Sequence, residues 1–226
     1  MKSLIFNVVG DFFALDIGST AIRVVQLKGG NHSLVKYGSI PIDVKVALSD
    51  APIDHKKVRD SIAQLVKSTG ISTRNVVVGL PANKTFVTIV DLPKMTMQEL
   101  QSTIKYQADQ YIPMNAEDAK IDSVVLGDSP IDPAKMEVLI ASVTNKFSEQ
   151  RMDMLESIGF DVIGLEPDAL GLARSLSSSS NGQAQLIIDM GEYATDILIT
   201  LAGSPRLVRS IPTGRQSLLR AAQQNL

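Results

Sequence analysis

Two short glycine-containing elements stand near opposite ends of the chain and read as a matched pair. Asp16-Ile17-Gly18-Ser19-Thr20 follows the apolar run Phe12-Phe13-Ala14-Leu15, and Asp189-Met190-Gly191-Glu192-Tyr193-Ala194-Thr195 follows Leu186-Ile187-Ile188. Each has the form of a buried strand, an Asp, one residue, a Gly at a tight turn and a β-rich return, Ile22 to Leu27 and Ile197 to Leu201. Glycine lets the turn take positive φ and leaves room for phosphate oxygens against backbone N–H groups. An Asp at the strand end is placed to hold a hydrated Mg2+, so Asp16 and Asp189 are the candidate metal residues, acting through water. One Asp-x-Gly is an ordinary turn. Two of them, 189 − 16 = 173 residues apart, point to a nucleotide clamped between two similar halves.

A chain of 226 residues with 44% hydrophobic content can bury a proper core, as one large domain or two small ones. Its 22 basic and 24 acidic residues leave a net charge of −2, without the basic surplus that nucleic acid demands. Cysteine is absent, which removes disulfides, thiol catalysis and Cys-based metal sites and agrees with a reducing cytoplasm. The opening Met1 to Gly10 briefly resembles a signal sequence, but Asn7 and then Asp11 interrupt it and no small-residue cleavage site follows. It reads as a leader packed on the first strand, or as a short amphipathic tether. No run of about 18 uncharged apolar residues exists, so no membrane-spanning helix is expected.

Along the chain, Phe12 to Asp16, Ala21 to Leu27 and Ser33 to Ile40 form a β-meander turned at Gly18-Ser19 and Gly29-Gly30-Asn31. A helix capped by Asp54 follows, with Val58, Ile62, Leu65 and Val66 on one face and Gly70 at its end. Val76-Val77-Val78-Gly79-Leu80-Pro81 has the texture of a central buried strand. Beyond it, strand Thr85 to Leu92, a helix from Thr96 to about Tyr111, strands Ala119 to Leu126 and Glu137 to Val143, a helix Lys146 to Ile158 and strand Asp161 to Leu165 have a β-α-β-β-α-β order of their own. That stretch reads as an inserted subdomain, residues 83–165, within a lobe made of 1–82 and 166–226. Ser177 to Gly182 reads as a solvated loop.

With both hairpins placed, the chain resembles the actin-like ATPase superfamily and, within it, the branch formed by the cell-division protein FtsA and the type IV pilus assembly family PilM. The likeness rests on Ala14-Leu15-Asp16-Ile17-Gly18-Ser19-Thr20-Ala21-Ile22-Arg23, Val76 to Pro81, Gln107-Ala108-Asp109-Gln110-Tyr111-Ile112-Pro113-Met114 and Ser210-Ile211-Pro212-Thr213-Gly214, in the family's order. It implies an α/β, ribonuclease-H-like fold with a mixed five-stranded sheet and an inserted α+β subdomain. It also implies ATP or ADP with Mg2+ as cofactor. Gly18, Ser19 and Thr20 would form the first phosphate loop, and Gly191, Glu192, Tyr193, Ala194 and Thr195 the second. Glu192 and Tyr193 replace small residues there, and a carboxylate beside a triphosphate repels it. Family members continue into a further lobe with a glycine-rich adenosine-binding motif, whereas this sequence stops at Leu226. A fragment or a truncated reading frame is therefore expected, with weak or no nucleotide binding. Leu218, Leu219 and Ala222 would give the last segment an apolar face with little to cover it.

Catalysis of phosphoryl transfer needs a residue to orient water. The superfamily implies one near Glu166-Pro167-Asp168-Ala169, with Glu166 the candidate and Asp168 second; the plainer role for either is in capping a helix. His32 and His55 are isolated and not expected to bind metal. Arg206 and Arg209, alternating with Leu207 and Val208, fit the solvated face of an edge strand. The resemblance implies a cytoplasmic scaffold at the inner face of the inner membrane that binds the cytoplasmic N-terminal tail of a bitopic PilN-type protein. That tail would lie extended in a groove beside the helix Gln98 to Tyr111, near the crossings at Leu80–Asn83 and Leu165–Pro167. An active ATPase or kinase, or an FtsA-like filament former, is the alternative.

Overall fold

The computed structural model describes residues 11–29, 32–47, 49, 51–176 and 182–224. The leader Met1 to Gly10, Gly30 and Asn31 of the second turn, and Ser177 to Asn181 of the serine loop lie outside the described residues. Two compact units make up the chain: one combines residues up to 80 with 149–166, the other 81–148 with those from 167 onward.

In the first unit, alternation dictates the strands. Strand β1 (Phe13–Ile17) buries Phe13 and Leu15, and β2 (Ala21–Leu27) buries Ile22 and Val24, while the residues between them face outward. These two, β3 (Leu34–Pro41), β4 (Asn75–Leu80) and β8 (Asp161–Pro167) form a five-stranded sheet in the order β3-β2-β1-β4-β8. It is mixed: β1 pairs antiparallel with β2 and parallel with β4. A short α1 (Val44–Ala47) leads to α2 (Pro52–Thr69), whose Val58, Ile62, Leu65 and Val66 join the strand residues in one core. Each such buried side chain is worth about 1.5–3 kcal/mol. Gly70, at φ 67°, closes α2 in the left-handed conformation with its N–H on Lys67 O. Asp54 is not the cap: Ala51 takes that position, and Asp54 sits in the first turn paired with Lys57 at 2.8 Å.

Residues 149–166 group with the first unit, while 81–148 group with those from 167 onward. The helix α4 (Asn145–Glu156) sends Met154 and Leu155 into the first core, and Phe160 stacks edge-on against Phe13 at 5.3 Å. Strand β8 then becomes the outermost strand beside β4. The apolar face of α4 finds its partners in the first sheet, so the stretch from about 149 to 166 packs with it.

In the second unit, β5 (Thr85–Pro93), β6 (Ala119–Asp128) and β7 (Lys135–Thr144) form an antiparallel sheet with β7 in the middle. One face packs against α3 (Met97–Gln107), where Leu100 and Ile104 meet Leu92, Met136, Val138 and Ile140. A capping box starts α3: Glu99 N–H donates to Thr96 Oγ1 at 3.3 Å, and Thr96 N–H donates to the Glu99 carboxylate at 2.8 Å. The helix stops at Gln107, and one 3-10 turn (Ala108–Gln110) carries the chain toward Pro113.

The rest of this unit is a second antiparallel sheet, β11-β10-β9, of β9 (Ala184–Met190), β10 (Thr195–Leu201) and β11 (Ser204–Ile211). On one face α5 (Asp168–Leu176) buries Ala169 and Ala173 against Leu198, Ile187 and Val208. Leu186, Ile188 and Met190 of β9 are exposed, as are Leu218 and Leu219 of the last helix, α6 (Arg215–Gln224). No helix among the described residues is long and apolar enough to cross a membrane.

Candidate functional site: two Asp-x-Gly hairpins

The two sequence elements fold alike. In the first hairpin Gly18 N–H donates to Ala21 O at 3.0 Å; in the second Gly191 N–H donates to Ala194 O at 2.9 Å. A Cβ built on Gly18 would lie 3.0 Å from Ala21 O, and one on Gly191 would lie 2.9 Å from Ala194 O. A side chain would push that carbonyl away, so glycine serves both turns through close approach; neither takes the positive φ expected of it. They lie in different compact units.

Because the loops have the same length, each Asp faces the residue seven further on. Asp16 opposes Arg23 and Asp189 opposes Asp196. The consequences differ. Arg23 holds the Asp16 carboxylate at 2.9 Å, with both side chains about half exposed, a pair worth at most about 1 kcal/mol. Asp189 instead faces a second carboxylate. Burial, and then the Asp189 charge, push the Asp196 carboxyl above its ordinary value against a hydrogen bond with Ser210. Among the described residues no cluster of three or more metal-ligating side chains exists, so a cation at either hairpin would draw on one or two carboxylates and water. Of the two hairpins, only the second sets two carboxylates opposite each other.

The Glu192 carboxylate is held by the start of α6. Arg215 Nε donates to its Oε2 at 2.9 Å, the Arg215 NH2 group reaches the same oxygen, and Gln216 Nε2 donates to Oε1 at 2.6 Å. The Gln216 hydrogen bond and then Arg215 hold this carboxyl below its ordinary value. The loop backbone is bound to the same helix, with Arg215 N–H on Gly191 O and Gln216 N–H on Glu192 O, each at 3.0 Å. Thr195 Oγ1 donates to Thr213 O at 2.6 Å. Gly214 makes this approach feasible: a Cβ there would lie 2.6 Å from Glu192 C and Tyr193 N. The Glu192 charge is therefore balanced by Arg215. The second hairpin and the start of α6 are one piece.

Glu166 is the next-to-last residue of strand β8 rather than the start of a helix, and Asp168 stands in the first turn of α5. Arg206 is not on a solvated face; it is paired with Glu137 of β7, while Arg209 is exposed. Sequence reading missed Arg23, Asp196, Gly214, Arg215 and Gln216. The first two were within reach by counting across a hairpin of fixed loop length. The other three depend on where α6 docks, which no local pattern encodes.

The mixed five-stranded sheet, the two further sheets and the paired Asp-x-Gly hairpins have the arrangement of an actin-like fold. Comparison with solved structures agrees. The chain superposes on a chain of a PilM–PilN type IV pilus biogenesis complex with TM-score 0.82 and 19% identity, covering 96% of this chain and 66% of that one. It also matches the cytoplasmic domain of EpsL, an inner-membrane component of the type II secretion system of Vibrio cholerae (TM-score 0.58, 18% identity, 96% and 77% covered). A third match is a Bacteroides thetaiotaomicron protein with an actin-like ATPase fold and unknown function (TM-score 0.51, 10% identity, 100% and 80% covered). A family model for the type IV pilus assembly protein PilM matches residues 14–218. The chain belongs to the PilM family.

Proposed function

We propose that this chain is an actin-like scaffold of type IV pilus assembly, stationed at the cytoplasmic face of the inner membrane through a bitopic PilN-type partner. The observation that carries the reading is the family match over residues 14–218, which spans both hairpins and the inserted domain. The superposition on a chain from a PilM–PilN complex supports the choice of partner. Its cytoplasmic N-terminal tail is a short extended segment, bound by backbone pairing with shallow pockets for a few apolar side chains. Ordering such a tail costs several kcal/mol, so an affinity near micromolar, about −8 kcal/mol, is expected.

The inserted domain receives the tail, and the hairpins play a regulatory part in which Mg-nucleotide phosphates meet their glycine turns. Asp189, facing Asp196, is the better seat for the hydrated cation, since Asp16 is already neutralised by Arg23. Glu166 has a lesser claim as the residue that orients water. Hydrogen exchange with and without a PilN-type N-terminal peptide tests the partner assignment. Protection within residues 81–126 is expected. Protection confined to Asp16–Thr20 and Gly191–Thr195 would sink it.

A further inference from the structure

The strand β11 is fastened at both ends. At its start the ladder with β10 slips between Ile199 and Thr200: Leu207 opposes Ile199, but Pro205 opposes Thr200, leaving Arg206 bulged out of register. The bulge re-aims Arg206 at Glu137 on the central strand of the inserted sheet, where the two form an ion pair with side chains only 26% and 11% exposed. Arg206 Nε is shut from solvent and bonded to nothing, so Glu137 supplies the contact that compensates its charge. Beyond its other end, Thr213 O accepts from Thr195 and Gly214 lies directly on Glu192 and Tyr193 of the second hairpin loop.

We propose that β11 is a tie rod joining the inserted sheet to the Gly191–Thr195 loop, with the Arg206–Glu137 pair as its removable pin. Load or ligand on the inserted sheet is then felt at the loop, and the reverse, within one unit. The coupling holds whether or not nucleotide binds and whichever partner the inserted domain takes, so it stands or falls apart from the proposed function. A bulge that puts a half-buried arginine, its Nε shut from solvent, out of ladder register is costly unless its guanidinium has a fixed purpose. An ion pair of stated direction fixes orientation, which apolar packing alone leaves freer to slide.

Native-state hydrogen exchange against denaturant on the full chain tests this. In the wild type, β5–β7 and β9–β11 open together with the same denaturant dependence. Glu137→Gln removes the compensating charge; β9–β11 then exchange roughly tenfold faster or more than β5–β7. Glu137→Leu with Arg206→Met replaces the pair by apolar groups of similar reach and guards against simple misfolding. That double variant keeps its global unfolding midpoint yet still opens the two sheets separately. Separate opening in the wild type, or joint opening in either variant, overturns the proposal.

Discussion

A single count of seven residues separates the two hairpins chemically. Asp16 meets an arginine and Asp189 meets an aspartate, although the backbones are alike down to the glycine N–H bond. Asp196 therefore carries a testable signature. Its carboxyl is raised in the folded chain, so the native state holds the proton more tightly than the unfolded one above the ordinary Asp value. By linkage, stability falls as pH rises from that ordinary value through the raised one, and stays lower above it. Asp196→Asn cannot ionise. Its urea midpoint is expected above that of the wild type at pH 7 and equal to it near pH 3, as read by circular dichroism at each pH. An equal or lower midpoint at pH 7 would show that Asp196 is not held against its charge.

Gly214 makes the opposite kind of statement, about space. A methyl there meets backbone 2.6 Å away and backbone cannot rotate aside, so Gly214→Ala is expected to cost about 1–3 kcal/mol and to loosen α6. Gly29→Ala, with nothing within 4 Å, serves as the control and should change stability by no more than about 0.5 kcal/mol. Denaturant titration of both variants, with hydrogen exchange across residues 215–224, distinguishes them.

At the scale of elements, the helices were the most readable in sequence. The Thr96–Glu99 box and the Gly70 terminus act within one turn of the chain, so their partners are neighbours in sequence. Thr96→Ala should cost about 1 kcal/mol, seen as a lower thermal midpoint, because one orphan N–H loses its acceptor. A Thr96→Asp variant should recover most of it. Border residues were less legible. Asp54 looked like a cap but lies inside the first turn, since Ala51 already takes the entry conformation. Strand β11 reads locally as an edge strand with arginines in water. Only the register shift between Ile199 and Thr200 leaves Arg206 out of the ladder, where it meets Glu137.

For the whole molecule, the chain spans 66% of the length of the chain from the PilM–PilN complex that it superposes on, and both Asp-x-Gly hairpins lie within the residues 14–218 that the family model matches. If nucleotide affinity needs more than these hairpins, calorimetry of this chain with ATP and Mg2+ should register no binding tighter than the high-micromolar range, about −6 kcal/mol or weaker. A sub-micromolar constant would mean that the described residues suffice. The sequence by itself determined the strands of alternating apolar residues, the Thr96 and Gly70 helix ends and the two glycine turns. Each of these is set by periodicity or by the sterics of a few adjacent residues. Tertiary structure alone decided the rest: that α4 and β8 return to the first sheet, that Glu192 is answered by Arg215 and Gln216, and that Arg206 finds Glu137. Those outcomes join residues tens of positions apart, and an apolar face or a charge carries no address for its partner. Which surface it meets is settled only when all the competing faces are buried at once.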